Sequence, residues 1–153
     1  KHKTSNNFLL IFNLFSSIHG VERHTLGEVY FPLSVGLSVF LFLPKSIPVF
    51  QFGVLVLALS DGFAGLIGSA FGKHRIEAFM SKKSYEGSAV FFLLTFFLFL
   101  FFLNHVISIP IILVAAVSSL FLTILELLLV FGLDNLFLPL VSSLILTMIL
   151  SAM

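Results

Sequence analysis

The chain has 153 residues, of which 59% are hydrophobic, only 10% are charged and 21 are phenylalanine. Because soluble proteins carry about a quarter of their residues as Asp, Glu, Lys and Arg, this composition excludes a soluble, a disordered and a nucleic-acid-wrapping chain. The formal net charge of +1 indicates no polyanionic partner, and the lack of cysteine excludes disulfides, zinc–thiolate sites and thiol nucleophiles.

The apolar segments, taken in chain order, predict a helical membrane protein. The first, 8–18, is too short to cross a bilayer as a helix. Five longer segments follow, at 27–43, 47–70, 88–103, 107–130 and 135–152. Each approaches the length of about 20 residues that a helix needs to span roughly 30 Å of hydrocarbon. We therefore expect an all-α, polytopic membrane bundle of about five transmembrane helices after a short N-terminal apolar helix, with residues 1–153 forming a single domain.

The ionisable residues collect on one side of this bundle. Lys73, Lys82 and Lys83 share the loop between the second and third long segments, and Asp134 with Asn135 opens the last one. If the spans alternate in direction, all of these residues lie on the same face, which the positive-inside rule assigns to the cytosol. The sequence therefore predicts a functional site at the cytosolic face.

Two carboxylates lie inside predicted spans, where an ionised group costs on the order of 3 kcal/mol. Asp61 lies in the second span, and Glu126 lies in the fourth, on one face with Ser119 and Thr123. One interpretation is a protonated carboxyl or an interhelical hydrogen bond that only aids packing. The other is a functional site, which intramembrane acids usually mark.

Glycines follow Asp61 at helical spacing. Gly65, Gly68 and Gly72 fall within roughly 40° of Asp61 on a helical wheel. They indicate either close helix packing or a backbone that approaches phosphate oxygens while Asp61 holds a divalent cation. Eleven residues of straight helix place Asp61 about 16 Å below Gly72, so we expect a helix break at the glycines or a polar cavity open to the cytosol.

The loop before the third span combines several polar chemistries in 82–88. Its lysines can neutralise a phosphate, Ser84 and the backbone around Gly87 can donate hydrogen bonds, and Glu86 can hold a metal or cap the helix. The alternative is a positive loop that binds anionic lipid headgroups.

Three further polar positions have two interpretations each. Asp134 or Asn135 is an N-cap or a ligand, and Glu28 is a helix-start carboxylate or a residue on the substrate side of the site. The histidines lack metal-ligand spacing, so we interpret them as interfacial or satisfied polar residues.

In their order and spacing, these motifs resemble the polyprenol kinases, which include dolichol kinase and phytol kinase and are distantly similar to phosphatidate cytidylyltransferase. The family pattern Asp-x-x-Ala-x-x-x-Gly-x-x-x-Gly is matched by Asp61, Ala64, Gly68 and Gly72. The pattern Lys-Thr/Ser-x-Glu-Gly-Ser/Thr is matched by Lys83, Ser84, Glu86, Gly87 and Ser88. The downstream elements of the family are matched by Thr123, Glu126, Asp134, Asn135, Pro139 and Leu140. The resemblance covers about 22–145.

The resemblance implies that the γ-phosphate of CTP is transferred, with Mg²⁺, to the hydroxyl of an isoprenoid alcohol in the bilayer. The expected partners are this alcohol, CTP and membrane lipids, without nucleic acid; a homo-oligomer stays open. The implied catalytic residues are Asp61, Lys83, Glu86 and Glu126; the metal ligands are Asp61, Glu126 and Asp134; and the nucleotide-binding residues are Gly65, Gly68, Gly72, Lys73, Lys82, Lys83, Ser84, Gly87 and Asn135.

Two features depart from the family: we expect that the chain lacks the additional N-terminal spans that family members carry, and Ser84 replaces the commoner Thr. Two other functions stay open. One is a CTP-dependent cytidylyltransferase that acts on a lipid phosphate. The other is a non-catalytic membrane assembly subunit whose polar residues only pack helices.

Overall fold

A computed structural model describes residues 26–76, 83–104 and 109–153. The predicted N-terminal apolar helix at 8–18 and the predicted nucleotide ligand Lys82 lie outside the described residues.

The described chain is almost entirely helical, and one small hairpin interrupts it. Its elements are α1 (Gly27–Leu41), α2 (Ile47–Leu55), a π-helical segment (Val56–Asp61), α3 (Gly62–Phe71), β1 (Arg75–Ile76), β2 (Lys83–Ser84), α4 (Tyr85–Phe102), α5 (Ile109–Leu128) and α6 (Asp134–Ser151).

Four helices in this described part are long and apolar enough to cross a membrane: Ile47–Phe71, which contains α2, the π-helical segment and α3, followed by α4, α5 and α6. The first predicted span forms the shorter helix α1, of 15 residues. The prediction of a helical membrane bundle is confirmed.

Local sequence explains where several helices begin. Ser46 precedes α2, and its side chain accepts a hydrogen bond from the backbone N–H of Val49. Ser84 does the same for α4, where its Oγ accepts from Gly87 N at 3.1 Å. Both serines satisfy a backbone donor that a helix N-terminus otherwise leaves unpaired.

The second predicted span does not break at its glycines. Instead it continues as a helix from Ile47 to Phe71, and six of its residues, Val56–Asp61, are π-helical. Asp61 is therefore the last residue of an irregular stretch, and Gly62, Gly65 and Gly68 belong to the regular helix α3. Short π-helical stretches inside α-helices often occur at functional sites.

Aromatic and aliphatic side chains fill the interior of the bundle. Phe52 of α2 is fully buried and packs on two rings of α4, with centroid separations of 4.6 Å to Phe99 and 5.4 Å to Phe102. The outer surface is also apolar: Phe40 is 78% and Ile109 is 77% exposed. Such a continuous apolar exterior is typical of a protein that lies in lipid.

Helices α2 and α6 approach each other through Gly53. A Cβ at that position would overlap the carbonyl oxygen of Pro139 and Oγ of Ser143. Ser143 in turn donates a hydrogen bond to the carbonyl oxygen of Val49 at 3.0 Å. Small residues thus allow a backbone-to-backbone contact between these two helices.

Candidate active site

One end of the bundle carries most of the charged residues that the structure describes. The C-terminal ends of α3 and α5, the β1–β2 hairpin and the N-terminal ends of α4 and α6 meet there, because β1 pairs antiparallel with β2 and Lys83 of β2 contacts residues of α5 and α6. The hairpin pairs Arg75 with Ser84 and Ile76 with Lys83. It fixes the backbone of the predicted catalytic lysine and of the residue that follows it.

Lys83, Glu126 and Asp134 form an ionic cluster at this end. Lys83 Nζ lies 2.6 Å from Glu126 Oε1 and 3.3 Å from Asp134 Oδ2, and it also donates to the backbone carbonyl oxygen of Glu126. Their side chains are only 15%, 7% and 17% exposed. The structure therefore brings together three predicted site residues that lie far apart in sequence.

One carboxylate oxygen of the cluster has no hydrogen-bond partner among the described residues. Glu126 Oε2 is buried and makes no hydrogen bond to any described residue, and the same holds for Ser119 Oγ on the same face of α5. Thr123, between them, donates to the carbonyl oxygen of Ser119 at 2.7 Å. Since buried polar atoms are normally satisfied, these two atoms indicate a position for a ligand, an ion or water.

Glu86 anchors the loop that follows α3. Its Oε1 accepts from the backbone N–H groups of Lys73 at 3.2 Å and His74 at 3.3 Å, and it lies 3.0 Å from His74 Nδ1. Sequence reasoning missed His74, because its partner is 12 residues away across a hairpin and no spacing rule joins them. The side chain of Lys73 is exposed beside this anchor.

Three of the predicted nucleotide-binding glycines pack helices together. A Cβ on Gly87 would lie 2.7 Å from the carbonyl oxygen of Ala64 and 3.3 Å from the Cα of Gly68, and one on Gly68 or Gly72 would crowd Ser84. The structure therefore supports the packing interpretation for Gly68 and Gly72, and it shows Gly87 in the same close contact.

Gly65 differs from these three glycines. It is exposed, and a Cβ there would meet nothing within 4 Å. Helix packing therefore does not require a glycine at this position.

The remaining predicted residues lie at different depths along their helices. Asp61 is half-buried and lies about 15 Å below the end of α3, taking 1.5 Å per residue. Asn135 donates through Nδ2 to the carbonyl oxygen of Gly27 at 3.3 Å, which joins α6 to α1. Glu28 is exposed in the first turn of α1.

Neither Asp134 nor Asn135 is the N-cap of α6. That position belongs to Leu133, which provides no side-chain cap. Asp134 instead is the first helical residue, and its Oδ1 accepts from the backbone N–H of Asn135 at 3.0 Å. The preceding turn places Phe131 at φ 58° and Gly132 at φ 84°, and Gly132 packs directly on the backbone of Gly27.

No group of three His, Asp or Glu side chains converges as a metal site in the described ranges. The predicted ligands Asp61, Glu126 and Asp134 thus do not form one set. Mg²⁺ does not require such a set, because it retains several waters and usually takes one or two protein carboxylates together with substrate phosphates. Glu126 Oε2, which is buried and has no hydrogen-bond partner in the part of the chain that the structure describes, fits that chemistry.

The fold and this site define a polytopic helical membrane protein with a buried ionic cluster at one end of its bundle. Comparison with curated proteins finds similarity to phytol kinase from Synechocystis sp., with 34% identity over 135 residues that cover 86% of this chain and 58% of the kinase. The chain belongs to the phytol and polyprenol kinase-like family, which confirms the resemblance in the motifs.

The chain spans 58% of the length of that phytol kinase, so the comparison concerns a part of the relative. No family model matches the chain. No solved structure matches it either.

Proposed function

We propose that this protein is a prenol kinase that transfers the γ-phosphate of CTP to the hydroxyl of an isoprenoid alcohol in the bilayer. The observation that carries the proposal is the buried cluster of Lys83, Glu126 and Asp134 at the end of an apolar bundle. Similarity to a phytol kinase supports the reaction class and favours an alcohol of the phytol type.

The site suits phosphoryl transfer for electrostatic reasons. This reaction needs little covalent chemistry from the protein, and positioning with charge stabilisation supplies most of the catalysis. Lys83 with two carboxylates has a formal charge of −1, which suits a divalent cation in the cluster. Mg²⁺ held by Glu126 and Asp134 would neutralise charge on the triphosphate.

Other residues have supporting roles in this proposal. Exposed Lys73 contacts the phosphates from the loop that Glu86 anchors. Asn135 fixes the start of α6, and with it Asp134, against α1. Asp61 lies deeper, on the side from which a membrane-embedded alcohol approaches. The site faces the cytosol, as the lysine-rich loop predicts by the positive-inside rule.

The test is an assay of the purified protein in detergent with Mg²⁺, γ-labelled CTP or ATP, and phytol, geranylgeraniol or a longer polyprenol. Labelled prenyl phosphate is the expected product, with CTP as the better donor. Glu126→Gln should remove most of the label. Ser151→Ala is the matched control, because Ser151 lies at the opposite end of α6 and bonds only locally, to the carbonyl oxygen of Met148.

Two results would replace this proposal. Pyrophosphate release with a phosphorylated lipid acceptor, without labelled alcohol, would identify a cytidylyltransferase. No reaction with either acceptor, and no nucleotide-dependent thermal shift in the presence of Mg²⁺, would identify a non-catalytic membrane subunit.

A further inference from the structure

We infer that Lys83 is a positioning residue that holds Glu126 and Asp134 in place and does not contact the triphosphate. The inference rests on the proposed function, and it changes the role that the family motif implies for this lysine. It depends on the hydrogen bonds of Lys83, on its burial and on the contrast with Lys73.

The donors of the Lys83 ammonium group are all used within the protein. A lysine ammonium has three N–H donors and no acceptor. The three acceptors around Nζ are Glu126 Oε1, Asp134 Oδ2 and the backbone carbonyl oxygen of Glu126. A phosphate oxygen would therefore have to replace one of these contacts.

The position of Lys83 also suits a link between elements. Its backbone lies in β2 opposite Ile76, and the next residue, Ser84, caps α4. From there its side chain reaches the end of α5 and the start of α6, 43 and 51 residues further along the chain. One ammonium group thus fixes the relative positions of two helix ends and of the hairpin.

This arrangement orients Glu126 for another ligand. Lys83 binds Oε1, whereas Oε2 is buried and has no hydrogen-bond partner among the described residues. When one oxygen of a carboxylate is held in place, the direction in which the second oxygen points is restricted as well. Lys83 therefore affects catalysis through the placement of Glu126 Oε2 rather than through the nucleotide.

Lys73 provides the contrast within the same end of the bundle. Its side chain is exposed, and its ammonium group makes no ion pair within the described ranges. Its backbone is nevertheless anchored by Glu86. A flexible, exposed cation on an anchored loop is suited to contact a phosphate that arrives from solution.

The test compares Lys83→Met, Lys83→Arg, the triple variant Lys83→Met/Glu126→Gln/Asp134→Asn, and Lys73→Met. Each full-chain protein is purified in detergent, and its melting temperature is measured by circular dichroism. The kcat and the KM for CTP are measured with phytol and Mg²⁺ in excess.

We expect Lys83→Met to lower the melting temperature and to reduce kcat about tenfold or more, with the KM for CTP within about twofold of the parent. The triple variant should recover the melting temperature, since it no longer buries unpaired carboxylates. Lys83→Arg should retain part of kcat, because a guanidinium group can also bridge two carboxylates. Lys73→Met should raise the KM about fivefold or more without a change in melting temperature.

The inference is overturned if Lys83→Met raises the KM for CTP as much as Lys73→Met does and leaves the melting temperature unchanged. It is also overturned if the triple variant is no more stable than Lys83→Met. If Lys83→Met cannot be purified in a folded form, the triple variant is the deciding measurement. A folded triple variant supports the inference, and a triple variant that also fails to fold overturns it. If the parent protein phosphorylates no prenol, the proposed function fails, and the melting temperatures alone decide whether Lys83 links the two carboxylates.

Discussion

Alanine at Gly87 should force α3 and α4 apart. The added Cβ would lie 2.7 Å from the carbonyl oxygen of Ala64 and 3.3 Å from the Cα of Gly68. Both are backbone atoms, so no side-chain rotation can relieve the overlap, and the helices must separate by several tenths of an ångström. Overpacking of this kind costs about 1–3 kcal/mol. We expect that loss of stability for Gly87→Ala.

Gly65→Ala is the matched control. It makes the same chemical change in the adjoining helix, but its Cβ would meet nothing within 4 Å. An alanine in a helix interior is favoured over glycine by about 0.5–1 kcal/mol, so this variant should be at least as stable as the parent. Thermal unfolding in detergent, followed by circular dichroism, measures both. Equal melting temperatures for the two variants would refute the packing argument.

Three other substitutions test the site. Asp61→Asn should reduce turnover about tenfold or more at unchanged helix content, and unchanged turnover would exclude Asp61 from the reaction. Asn135→Ala should cost about 1 kcal/mol of stability, because the hydrogen bond to Gly27 is lost; a thermal melt indistinguishable from the parent would contradict this. Glu86→Gln should raise the KM for CTP more than it lowers kcat, since the anchored Lys73 loop loses a charged acceptor; a kcat effect alone would indicate direct catalysis.

The helical architecture could be predicted from the sequence because a long apolar segment in a lipid environment can satisfy its backbone only as a helix. The span predicted at 47–70 corresponds closely to Ile47–Phe71, and the span at 135–152 to Asp134–Ser151. The π-helical segment could not be predicted, since Val56–Asp61 contains neither glycine nor proline and its irregular hydrogen bonding depends on the neighbouring helices.

The members of the site were easier to predict than their contacts. Glu126 was identified because charge is costly inside a membrane, and Lys83 and Asp134 because they lie at the ends of spans on the same face. Their mutual ion pairs depend on how α5 and α6 meet β2. The sequence also could not separate Gly65 from Gly68. Both lie on the helical face of Asp61, and only the position of α4 shows which of them is covered.

The π-helical segment has a consequence for the geometry of the long second helix. A π-helical turn bonds residue i to i+5 instead of i+4, so it contains about one extra residue. If the same residues formed a regular α-helix instead, the extra residue would rotate α2 by about 100° relative to α3. Gly53 could then remain against Pro139, or Gly68 against Gly87, but not both. The wide π-helical turn thus sets the rotation between the two halves, so that one membrane helix contacts α6 through Gly53 and α4 through Gly68.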